Sequence, residues 1–72
     1  MDWVGEVERC AEMRRILTNI IGFSEILADP LLPMEPRRQL EYLEIIVAAG
    51  LELNEKISEL VESRRVAQLV SA

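Results

Sequence analysis

The sequence predicts an all-α protein, an antiparallel two-helix hairpin that pairs with a second copy of itself into a homodimeric four-helix bundle. Three observations carry that prediction. Half of the 72 residues are hydrophobic although only Trp3, Phe23 and Tyr42 are aromatic, and the apolar positions recur at three and four rather than alternating, which is the period of a helix. All three prolines fall between Pro30 and Pro36, where missing amide donors and restricted preceding residues forbid a continuous helix. The segments on either side each carry an apolar stripe too broad to face a single neighbour.

Helix 1 is expected at about residues 3 to 28. Val7, Cys10, Met13, Leu17, Ile20 and Leu27 keep three-or-four spacing, Ser24 fills one polar slot, and Ile16, Ile21 and Phe23 widen the stripe. Asp2 is the expected N-cap, and Asp2, Glu6 and Glu8 place negative charge at the positive end of the helix dipole. A hinge follows at 29 to 35. Pro36 suits a first helical position, because its absent amide proton would go unpaired there anyway.

Helix 2 is expected from about 36 to 68, a turn or two longer than helix 1. Leu43, Ile46, Gly50, Leu53, Ile57 and Leu60 follow a 3-4-3-4-3 spacing, the seam of a coiled-coil-like helix, and Leu40, Val47, Asn54 and Val61 form a flanking row at sevens. Arg37 with Glu41, Glu52 with Lys56 and Glu62 with Arg65 are expected as surface pairs, with Arg64 and Arg65 complementing the negative end of the dipole. Two helices alone cannot enclose two wide stripes, since each shows the other only one side. Twofold pairing buries both, with a core expected from Leu17, Ile20 and Leu27 of helix 1 and Leu43, Ile46, Gly50, Leu53, Ile57 and Leu60 of helix 2.

Composition narrows the function. With no histidine there is no imidazole general base, no Ser-His or Cys-His nucleophile pair and no phosphohistidine. One cysteine makes no internal disulfide and, without histidine, cannot complete the ordinary zinc ligand sets, so neither metal nor cofactor is expected. The net charge of −5, with Lys56 the only lysine, argues against binding a phosphate backbone. The longest apolar run, Ile45 to Leu51, falls well short of the roughly 18 residues that span a bilayer. No basic-then-apolar leader opens the chain, and the unpaired cysteine fits a reducing compartment, so a cytoplasmic location is expected.

Two stretches are more specific. Ala11-Glu12-Met13-Arg14-Arg15-Ile16-Leu17 leads into Ile20-Ile21-Gly22-Phe23-Ser24-Glu25-Ile26-Leu27, and helix 2 carries Tyr42-Leu43-Glu44-Ile45-Ile46-Val47-Ala48-Ala49-Gly50. From about residue 8 to 65 the chain resembles the dimerisation and histidine phosphoacceptor domain of sensor histidine kinases. That family typically carries H-E-L-R-T-P-L, then I-I-G-F-S-E-L-L, and Y-L-E-I-I-x-x-S-G on its second helix. The resemblance implies a dimeric four-helix bundle that transmits signals in a two-component phosphorelay, with a response regulator or a kinase domain as partner.

The departures from the pattern bear on chemistry. The family's phosphoacceptor histidine falls on Ala11, whose methyl group has no lone pair to attack a phosphate. Glu12 keeps the acidic neighbour with no imidazole to serve. Arg15 stands where the family has the threonine or asparagine associated with dephosphorylation, and Ile16 where it has proline. A deliberate His-to-Ala replacement would have left those two intact, so their joint loss favours a naturally degenerate domain. Ile16 also restores an amide donor and removes a ring clash, which predicts an unkinked helix 1 through residues 11 to 20. The expected function is therefore a non-enzymatic dimerisation module that scaffolds or transmits signals. The alternative is a small inhibitor or adaptor that binds a functional kinase or response regulator by imitating its bundle.

Several residues carry two readings each. Glu12, Arg14 and Arg15 form either a docking patch for a partner or a solvated face with Glu12 and Arg15 paired at i, i+3. Cys10 is either a redox switch between chains or, more ordinarily, a small buried hydrophobe. Gly50 implies close approach of the opposing helix, because glycine inside a helix costs about 1 kcal/mol relative to alanine. Asn54 either fixes register by demanding a hydrogen-bond partner or lies exposed. Trp3 and Val4 either join a preceding signalling helix or fray.

Overall fold

A computed structural model describes residues 3–71, so the N-cap expected at Asp2 lies outside the described residues. It contains two α-helices, α1 (Trp3–Ala28) and α2 (Pro36–Ser71), packed on each other as an antiparallel hairpin. α1 continues without interruption through residues 11–20. α2 runs past the expected end at 68, because Val66-Ala67-Gln68-Leu69-Val70 contains no glycine or proline to stop it. With 36 residues against 26, α2 exceeds α1 by nearly three turns rather than one or two. Arg64 and Arg65 consequently do not occupy the last turn of α2, which holds no basic residue.

The hinge is built by the residues that break the helices. The Asp29 amide donates to the Ile26 carbonyl at 3.3 Å, and the Leu32 amide closes a turn onto the Asp29 carbonyl at 3.2 Å, with Pro30 at its second position. The Asp29 carboxylate accepts from the Leu31 amide at 2.9 Å, the local bond that suits aspartate to turns. The Glu35 carbonyl then receives the amides of Arg38 at 2.9 Å and Gln39 at 3.0 Å, which starts α2 with Pro36 in its first turn.

Three contacts fix the register along the hairpin. Near the hinge, Phe23 and Tyr42 meet edge to face, with ring centroids 5.1 Å apart and planes at 87°. At mid-length the Lys56 ammonium lies 3.1 Å from the Glu12 carboxylate, and toward the open end Arg64 Nε lies 2.6 Å from Glu6. Between these ties the helices face each other through Met13, Ile16, Ile20, Phe23 and Leu27 of α1 and through Tyr42, Ile46, Ala49, Leu53, Lys56 and Leu60 of α2. Each set keeps three-or-four spacing. Ile16 alone among the described residues is buried, and the others are half-buried.

Candidate functional site

Two surfaces bear on function, and both follow from how the helices turn their side chains. The first surrounds Ala11. Glu8, Ala11, Glu12 and Arg15 stand at i, i+3, i+4 and i+7 on α1 and line one shallow, open concavity. Ala11 is exposed. Glu12 does not pair with Arg15 as the solvated-face reading expects, because its carboxylate is taken by Lys56 across the hairpin. Lys56 in turn does not serve Glu52. The hydrogen bond that Lys56 donates to Glu12 raises the lysine pKa above its ordinary 10.5, partial desolvation opposes the rise, and the negative charges of Glu12, Glu59 and Glu52 add to it.

Arg14 does not join that concavity. Each residue step turns about 100° around the helix, which carries the exposed Arg14 to a different side of α1 from Arg15. Its carbonyl accepts a 2.9 Å hydrogen bond from the Thr18 hydroxyl. The three residues expected as one docking patch are therefore split between two sides of the helix.

The second surface is apolar. Val7, Cys10, Leu17 and Ile21 of α1 are exposed, as are Leu40, Leu43, Val47, Ile57 and Val61 of α2, with Leu17 at 45% and Val47 at 61%. On α1 this row continues through Arg14, Ser24 and Ala28, and on α2 it includes Gly50 and Asn54, so both rows step by three and four along their helices. Each row is turned by about a third of a circle from the row that faces the other helix, in the direction of increasing residue angle. Because the helices run in opposite directions, these two equal rotations bring both rows to the same side of the hairpin. At the open end Val7 and Cys10 share a groove with Leu60 and Arg64, and those two residues also border Val61.

The expected seam of helix 2 therefore divides. Ile46, Leu53 and Leu60 face α1, together with Ile20 and Leu27 from the other helix, whereas Leu43 and Ile57 are exposed beside the half-buried Gly50, and Leu17 is exposed on α1. Cys10 is exposed rather than a buried hydrophobe, and Asn54 is exposed. Close approach of α1 does not explain Gly50, since a Cβ built there meets nothing within 4 Å. Sequence reasoning missed the inward row of Tyr42, Ala49 and Lys56. Its signal was the three-or-four spacing these residues share with Ile46 and Leu53.

No helix among the described residues is long and apolar enough to cross a membrane. No family model, curated protein or solved structure matches the chain.

Proposed function

We propose that this chain is a catalytically silent dimerisation module of histidine-kinase type, a homodimeric four-helix bundle that scaffolds or transmits signals in a two-component phosphorelay. The observation that supports it best is the second apolar face, made by both helices on one side of the hairpin and covered by nothing within it. Exposed faces of this extent mark association sites. The silent half of the reading rests on Ala11, exposed at the position of the family's acceptor histidine in a chain without any histidine. The concavity formed with Glu8, Glu12 and Arg15 lies away from the apolar face and stays open in a dimer, where a response regulator or kinase domain has room to dock.

Sedimentation equilibrium and phosphotransfer together test this. The purified chain should sediment as a dimer at roughly tens of micromolar, since standard-size protein interfaces bind at micromolar affinity or tighter. Incubated with ATP and an active histidine kinase, it should acquire no acid-labile phosphate. A stable monomer would overturn the scaffold and favour the adaptor that imitates a kinase bundle, and phosphate on the chain would overturn the silent assignment.

A further inference from the structure

The apolar face is complementary to itself, and this deepens the proposed dimer, on which it rests. From Glu12 opposite Lys56 and Phe23 against Tyr42, antiparallel travel sets Arg14 level with Asn54 and Leu17 with Gly50 to within about a residue, and Cys10 with Ile57 and Ser24 with Leu43 to within about two. Along this ladder a large side chain repeatedly stands level with a small one. The one charged residue of the α1 row also stands level with the one polar residue of the α2 row.

A twofold axis parallel to the helices keeps every residue at its own level, so the register of one hairpin dictates which residues meet between two. We propose that a second copy docks in this way, laying the exposed row of each α1 on the exposed row of its partner's α2. Leu17 then fills the notch at Gly50, and the Arg14 guanidinium donates to the Asn54 side-chain carbonyl.

Three observations support that occupant. Gly50 is not required by the hairpin, where a Cβ would meet nothing within 4 Å, so the space beside it is open to a helix from outside. Arg14 makes no ion pair and Asn54 no side-chain hydrogen bond among the described residues, and both stand in an otherwise apolar row. The exposed aliphatic side chains run along both rows, from Val7 to Ile21 on α1 and from Leu40 to Val61 on α2, a continuous face of the kind that a stable interface, at about 800 Å² per partner, covers.

The test joins native chain, which carries Cys10, to a differently tagged Cys10→Ser/Ile57→Cys variant by a short thiol crosslinker. The mixed product should exceed Cys10-to-Cys10 product by at least tenfold. A second pair on the Cys10→Ser background, Val7→Cys with Val61→Cys, guards against a variant that fails to fold, with helical circular dichroism as the control. Arg14→Leu alone should weaken dimerisation about tenfold by stranding Asn54, and adding Asn54→Leu should recover most of that loss. Folded dimers without the mixed product, or with Cys10 joined chiefly to Cys10, would overturn this arrangement and leave the proposed dimer standing. Monomers would overturn both.

Discussion

Lys56 is the residue whose behaviour separates a structural from a decorative charge. It is the only lysine, it sits in the row that faces α1, and its ammonium is held 3.1 Å from Glu12. Its pKa is raised in the fold, chiefly by that hydrogen bond, so the stabilisation is fully present below the unfolded lysine value and is lost as pH rises through the folded one. Denaturant unfolding followed from about pH 8 to about pH 11 should show a midpoint that falls at the alkaline end, around the ordinary lysine range. Lys56→Met should flatten that fall. The pair was not legible in the sequence, where Glu52 offered the same lysine a partner one helical turn away. Its stem lies in the seam while its head reaches across, so a seam position was concealed by a charged side chain.

At the scale of the element, the hinge and the start of α2 were legible because prolines and Asp29 act locally through missing donors and a short acceptor. The end of α2 was not, because no local residue marks it. The division of the helix 2 seam was hidden for a further reason, since adjacent heptad rows both satisfy three-or-four spacing and only the register against α1 tells them apart. Gly50 shows the consequence. Gly50→Ala places a methyl in open space within the hairpin, so it should raise the intrinsic helical stability of α2 by roughly 0.5–1 kcal/mol. The same methyl narrows the notch proposed for the partner's helix, so dimer affinity should fall about tenfold, by analogy with the cost of overpacking. The residual helicity of the unassociated chain, read by circular dichroism, and the sedimentation of concentrated protein should therefore move in opposite directions.

The whole molecule is a rod of 56 × 17 × 13 Å with a radius of gyration of 16.8 Å, where a compact chain of this length would have about 11 Å. Its long dimension is set by α2, whose 36 residues rise about 54 Å. A rod two helices wide has almost no interior, and Ile16 is its only buried hydrophobic residue among those described. Such a core supplies too little to offset the entropy of ordering two helices, which predicts that folding is coupled to association. Coupled folding makes the melting temperature depend on concentration, since mass action favours the associated, folded state. Circular dichroism melts over a roughly hundredfold range of concentration should show a midpoint that climbs with concentration. A midpoint that stays fixed would mean that one hairpin folds alone and that its apolar side serves a different partner.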